Sequence, residues 1–336
     1  MRRRLTLNSA LLMLMLMLIG CGGGWGGAEA AATASTPTPT PPPTGLPTGW
    51  TRLADLPSGV AKFGVAALGG KIYVAGGYDT RKSLMVYDIA TDGWTVGPAL
   101  PRGTDNVAAV AAGDKLVAIG GEASNAFQVF DPGSGQWSAG PTLPRVGFAC
   151  AAAVLGGRVH MVGGWNYSNT TSASLASHSV FDLATQSWTS AAPLAAARNA
   201  AGAAAIDGRL FVVGGRSPGI RASDQQSLAS LEIYTPTADQ WLAAAPMPTA
   251  RGSLAVVALA GRLYALGGES TPGTVSDAVE RFDPVAQSWS MLPTMPYRSH
   301  GLGAVAVGDA IYVMGGFTGP ADAVGSESVA LYRYQP

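Results

Sequence analysis

Five arginines recur along the chain at intervals of 43 to 53 residues: Arg102, Arg145, Arg198, Arg251 and Arg298. Lys62 stands near the corresponding place at the start of the series. A guanidinium is a permanent cation whose planar fork of donors fits a carboxylate. Gathered at one place, these arginines would hold an anion or an acidic peptide. A residue present in every repeat has a second reading, ion pairing to framework acids such as Glu232 and Glu280. His300, two residues beyond Arg298, adds a group that titrates near neutral pH. His160 and His178 stand where the other repeats carry mostly apolar residues, so they read as internal packing. The three histidines lack the spacing of metal ligands, and no metal or cofactor is expected. Tyr78, Trp165 and Phe317 each follow a glycine pair and can stack on a sugar or a peptide. Glu122 and Glu269 take the same position, but nothing singles out either as a general acid. No Ser/His/Asp constellation and no phosphate-cradling loop occurs, so no catalytic residue is assigned.

The elements that position these groups declare themselves by repetition. Two or three β-formers followed by a glycine pair recur six times, ending at Gly77, Gly121, Gly164, Gly215, Gly268 and Gly316. Trp94, Trp137, Trp188, Trp241 and Trp289 keep the same uneven beat. Two markers whose spacing drifts together mean one unit repeated with insertions, and a period of roughly 40–50 residues is that of propeller blades. Each unit reads as four short strands, here a to d. Strand a is small and apolar, and a tight turn rich in glycine or aspartate leads to strand b. Strand b ends in the glycine pair. Strand c carries an aromatic residue, followed by aspartate in four copies (Tyr87-Asp88, Phe130-Asp131, Phe181-Asp182, Phe282-Asp283), and strand d carries the tryptophan.

This pattern over residues 49–336 resembles the kelch repeat, which implies an all-β, six-bladed kelch β-propeller. After Gly316 a strand c is expected over Ser328–Tyr334, with no tryptophan behind it. Trp50, followed by Leu56-Pro57, supplies the missing strand d, so the N-terminal strand is expected to complete the last blade and close the ring. Kelch propellers bind ligands on the rim that carries the d–a and b–c loops. The b–c loops of blades 3 and 4 are the longest and are expected to wall that rim.

Charged residues make up 12% of the chain, against roughly 25% in an average soluble protein, and the formal net charge is zero. Nucleic-acid binding, which requires a basic face, is not expected. Arg2–Arg4 precede an apolar run from Ala10 to Gly20, well short of the about 20 residues of a membrane span, so residues 1–20 read as a signal peptide. The run ends in Leu18-Ile19-Gly20-Cys21, which resembles the bacterial lipobox and implies lipidation of Cys21. Gly22 at the next position favours the outer membrane by resemblance to Gram-negative sorting rules. Residues 21–48, with TPTPTPPPT from Thr36 to Thr44, read as a semi-rigid tether. Cys150 is then alone, so no intrachain disulfide is expected.

The functional expectation is a monomeric, non-catalytic binding module, lipid-anchored on the bacterial envelope, that recognises a protein or glycan through the d–a/b–c rim. The alternative is an epimerase on an acidic sugar, because the sialic-acid mutarotases are six-bladed, secreted kelch propellers. Copper chemistry of the galactose-oxidase kind is not expected. The residues here do not match its ligand set of two tyrosines, two histidines and a cysteine–tyrosine cross-link.

Overall fold

The computed structural model describes residues 45–336, apart from residues 123, 167–172, 219–224 and 272. The expected signal peptide, Cys21 and the tether up to residue 44 lie outside the described residues. The described residues form six four-stranded antiparallel sheets. Blade 1 consists of Gly64–Leu68, Lys71–Ala75, Leu84–Asp88 and Gly93–Val96. Blades 2 to 5 repeat this order, with strands a at Ala108–Ala112, Ala151–Leu155, Gly202–Ile206 and Ala255–Leu259. Blade 6 takes three strands from the C-terminal end, Gly303–Val307, Ala310–Met314 and Leu331–Tyr334. Its fourth strand is Trp50–Arg52, which pairs Trp50 with Tyr334 and Arg52 with Tyr332. Each strand a packs on that of the next blade, and blade 6 on blade 1, so the ring is closed.

Strand c of blade 6 begins at Leu331 and not at Ser328, because residues 317–327 fold back as a b–c loop in which Phe317 bridges Glu327. Leu331, which pairs with Met314, is therefore the counterpart of His178, where the spacing alone points to Val329.

The repeated residues each have a mechanical task. The aspartate after the aromatic residue closes the c–d turn: Asp88, Asp131, Asp182 and Asp283 accept from the amides of Ala90, Gly133, Ala184 and Val285. The same carboxylates pair with the first residue of strand b, as in Lys71–Asp88 at 2.6 Å and Arg158–Asp182 at 2.9 Å. The strand-d tryptophan reaches back to the previous blade. Trp94 Nε1–H donates to Ala54 O, Trp137 to Pro98 O, Trp241 to Ala192 O and Trp289 to Ala245 O, all at 2.8–2.9 Å.

The glycine pair is a gasket between blades. At Gly163 and Gly164, φ is 63° and 108°, and a Cβ would stand 2.5 Å from Arg198 O and 2.9 Å from Phe148 O. Neither conformation nor space admits a side chain. Gly164 N–H donates across the seam to Arg198 O, and the second glycine of every pair repeats the bond: to Thr104, Gly147, Arg251, Ser299 and Val60. The apolar core is divided accordingly into six clusters, one in each seam between blades.

Candidate functional site

The d–a and b–c loops meet around the central channel. Two residues beyond the carbonyl that receives the glycine N–H, each d–a loop turns left-handed. Lys62, Asn106, Ala149, Ala200, Ser253 and Gly301 have φ of 49–60°. This turn lets five of the six loops hand an amide to the carbonyl of the preceding loop. Ala149 donates to Asn106, Ala200 to Ala149, Ser253 to Ala200, Gly301 to Ser253 and Lys62 to Gly301, at 2.7–3.1 Å. These loops surround a throat of about 140 Å³ lined by Phe63, Val107, Cys150, Ala201, Leu254 and Leu302. Ligand pockets usually hold roughly 300–1,000 Å³, so this throat is smaller than a usual ligand pocket.

The collar is built from the residues that follow the glycine pairs. Tyr78, Glu122, Trp165, Arg216, Glu269 and Phe317 each donate a backbone N–H to the d–a loop beside them, at Ala61, Asp105, Phe148, Asn199, Gly252 and His300, over 2.8–3.0 Å. Six identical backbone seats thus carry five different kinds of side chain, glutamate occurring twice. Three of them start short ribbons: Trp165–Asn166 with Ala173–Ser174, Arg216–Pro218 with Gln225–Ser227, and Glu269–Ser270 with Thr274–Val275. Ser174 Oγ donates to Arg216 O and Ser227 Oγ to Glu269 O, so the ribbons join into one wall over blades 3, 4 and 5. The sequence-derived wall of blades 3 and 4 extends one blade further.

Charged groups run around the collar in pairs. Arg216 Nη2 meets Glu269 Oε2 at 2.5 Å, and Glu269 Oε1 accepts from Ala321 N–H at 3.1 Å. Lys62 pairs with Asp322 and lies 5.9 Å from the centre of the Phe317 ring. Arg81 bridges Glu122 at 2.5 Å and Asp105 at 3.4 Å. Burial pushes the Asp105 carboxyl up, against the pull of Arg81. His300 is 1% exposed. Burial pushes it down from the usual histidine range, against the opposing pull of Glu269 and Asp322, so it is neutral at pH 7. Nε2–H then donates to Gly319 O at 3.0 Å. The Nδ1 lone pair lies 3.9 Å from Glu269 Oε2, with no hydrogen-bond partner among the described residues.

The five arginines do not form one ring, which corrects the sequence-derived expectation. Arg198 and Arg251 are 0% exposed. Their backbone carbonyls hold the glycine pairs, while their side chains turn into the wall and meet Glu232 at 2.5 Å and Glu280 at 3.1 Å on strand c. Arg102 and Arg145 occupy a different position, two residues beyond the buried Leu100 and Leu143, where Arg198 and Arg251 come four beyond Leu194 and Met247. Arg102 is exposed, and its amide donates to Gln128 Oε1. Arg145 is half-buried. Arg298 is 68% exposed on its side chain, with Nε 3.5 Å from Asp277. Loops of unequal length bring all five to similar sequence spacing without bringing them together in space.

The aromatics are more deeply set than a stacking platform requires. Trp165 is 6% exposed and Phe317 is fully buried between His300 and Tyr78, its ring centre 5.4 Å from each. Tyr78 alone is half-open to solvent. His160 and His178 lie in the seam between blades 3 and 4, Nδ1 to Nε2 at 2.8 Å. Sequence reasoning underused Arg216 and Glu269, although opposite charges in the same seat of adjacent blades signal a pair. Arg81 and Asp322 carry no such signal, because they sit in b–c loops that do not repeat.

Residues 107–316 match the model of the KLHDC2/KLHL20/DRC7 Kelch-repeats domain, and residues 61–101 match the Kelch motif. Kelch-like protein terF of Aspergillus terreus is 27% identical over 235 residues, covering 66% of this chain and 41% of that protein. Kelch-like protein 40 of Mus musculus is 38% identical over 97 residues, 29% of this chain and 15% of that protein. The chain thus matches less than half the length of either relative. A solved structure titled "Structure of YjhT" superposes with a TM-score of 0.72 at 14% identity, over 83% of this chain and 95% of that one, a likeness of fold.

Proposed function

The chain belongs to the kelch-repeat family of β-propellers, and from that premise we propose that it is a non-catalytic binding module that recognises a protein or glycan through the collar of the d–a/b–c rim. The observation that carries this reading is the set of six equivalent backbone seats filled by tyrosine, tryptophan, arginine, phenylalanine and two glutamates, since variation on a fixed frame is how a binding face acquires specificity. The groups open to a partner are Tyr78, Arg81, Glu122, Asp322 and Arg298. A glycan and envelope-protein binding screen identifies the ligand. Tyr78→Ala combined with Arg81→Ala is expected to weaken a genuine hit at least tenfold, while Val285→Ser, at the c–d turn of blade 5 on the opposite rim, leaves it unchanged. A hit indifferent to the collar substitutions overturns the reading.

The cellular setting belongs to the same proposal. Residues 1–20 direct export, acylated Cys21 anchors the chain in the outer membrane, and residues 21–48 hold the propeller off the surface. Cys21→Ser is expected to release the protein into the soluble fraction and to abolish incorporation of a fatty-acid label.

One observation favours the epimerase alternative: the neutral His300 Nδ1 beside Glu269 is an acid/base pair at the collar. Its burial weighs against it, because neither side chain reaches solvent. Accelerated anomer exchange of sialic acid, lost in His300→Gln, would establish this second reading.

A further inference from the structure

Blade 3 carries an arginine in the place of an ion pair but lacks the carboxylate. The register of strands b and c sets Glu232 opposite Val212 and Glu280 opposite Ala265. The same position is Gln128 in blade 2, opposite Ala118, and Ser179 in blade 3, opposite Met161. Arg198 reaches Glu232 while donating from Nη1 to Ser230 O at 3.0 Å. Arg145 donates from Nη2 to Ser177 O at 3.4 Å. Ser177 and Ser230 are counterparts, since each accepts the amide of the first glycine in its blade, Gly163 and Gly214. The two guanidiniums therefore occupy the same place in blades 3 and 4. Arg145 starts two residues nearer to strand d and arrives there without an acid.

Two donors are left over at this place. Arg145 Nε and Ser177 Oγ are both buried with no hydrogen-bond partner among the described residues. The guanidinium's other contacts are the carbonyls of Val146 and Ser177. In blade 4 the Glu232 carboxylate accepts from the Ala195 and Ala196 amides, and in blade 2 Gln128 accepts from the Arg102 amide. The corresponding amide in blade 3 is that of Arg145 itself. The Arg145 Nε–H and the Ser177 hydroxyl lose their water without gaining a partner, and a carboxylate satisfies both. Ser179 stops short of where a Glu232-type carboxylate lies. Arg145 and Ser177 are only half-buried as residues and Pro144 is exposed, so the two buried donors lie close to the surface.

We propose that this position is a carboxylate site, in which the carboxylate of an acidic ligand takes the seat that Glu232 fills in blade 4. The ligand carboxylate would accept from the Arg145 guanidinium and the Ser177 hydroxyl. This inference rests on the reading of this rim as the binding face, but its test does not involve the collar groups Tyr78 and Arg81, so the two fail separately.

The probe is sodium acetate, titrated against sodium chloride at constant ionic strength and pH 7.5, with thermal unfolding of the full chain as readout. Acetate is expected to raise the melting temperature saturably by about 2–4 °C. Ser179→Glu, which gives blade 3 the carboxylate of blade 4, is expected to melt higher without acetate and to lose the acetate response. Arg145→Gln is expected to lose the response as well, and decides the matter if the Ser179 variant does not fold. Equal responses to acetate and chloride in the native chain overturn the site. So does an acetate response of native size in Arg145→Gln, or in a folded Ser179→Glu variant.

Discussion

Arg198 donates to Gly214 O, Ser230 O, Ser230 Oγ and Glu232, whose carboxylate also accepts two backbone amides. Arg251 and Glu280 are fully buried too, yet Arg251 Nε and Nη1 and Glu280 Oε1 have no partner among the described residues. Desolvation costs are similar for the two pairs, but only the first recovers them through its full set of bonds. Glu280→Ala, which strands the arginine, is expected to lose about 3–5 kcal/mol in urea unfolding. The double change Arg251→Met with Glu280→Leu is expected to be neutral or stabilising, whereas Arg198→Met with Glu232→Leu is destabilising. Equal costs for the two double variants would contradict the distinction. Sequence spacing shows neither the distinction nor the partners, since a count along the chain adds loop residues that differ between blades. It merged Arg102 and Arg145 with Arg198 and Arg251 for that reason.

At the level of the strand, closure of the ring was legible because Trp50 and the Leu56-Pro57 step repeat the spacing of the other strands d. The closing strand nevertheless differs from its counterparts. Five aromatic–tryptophan pairs sit 5.1–5.2 Å apart and tilted by 39–46°, while Trp50 stacks on Tyr334 at 4.5 Å and 25°. In that orientation Trp50 Nε1 is buried without a partner among the described residues. Trp289→Phe removes a 2.8 Å bond to Ala245 O and is expected to cost about 1 kcal/mol more than Trp50→Phe, measured by urea unfolding. Deleting residues 49–56 leaves strand Leu331–Tyr334 as an open edge. The whole ring is then expected to melt lower; unchanged cooperative melting would count against closure by this strand. What the sequence left dark is loop geometry. The 317–327 loop places Asp322 against Lys62 through turns that occur once, and no periodicity reports them.

Across the whole ring, every seam is sealed by apolar side chains, and the seam between blades 3 and 4 also holds a buried histidine pair. His160 stands in the seat of Tyr73, Phe211, Tyr264 and Tyr312, and His178 in that of Leu84, Phe127, Leu231 and Leu331. The cluster between blades 3 and 4 accordingly has fewer buried apolar residues than the other five. His178 Nδ1–H donates to Ala192 O, so its Nε2 accepts from His160 Nδ1–H, and both rings are neutral in this arrangement. Burial pushes each from 6.5 down to about 4. Both histidines therefore bind a proton more readily in the unfolded chain than in the folded one. Their contribution to stability is complete above about pH 6.5 and is lost as the pH falls toward 4, on the order of a few kcal/mol for the coupled pair. His160 lines a groove of about 730 Å³ at this seam, a path for water to the pair. The seam is expected to open first in acid. Hydrogen exchange at pH 5 should show protection falling earliest in Arg158–Val162 and His178–Asp182, with blade 1 retaining it. His160→Phe with His178→Leu supplies the side chains used in blade 4 and should flatten the acid limb of the stability curve, leaving the slopes due to His300, which burial also lowers, and to the turn carboxylates Asp88, Asp131, Asp182 and Asp283, which their hydrogen bonds hold below the usual carboxylate range. An unchanged acid limb in the double variant would place the acid sensitivity elsewhere in the ring.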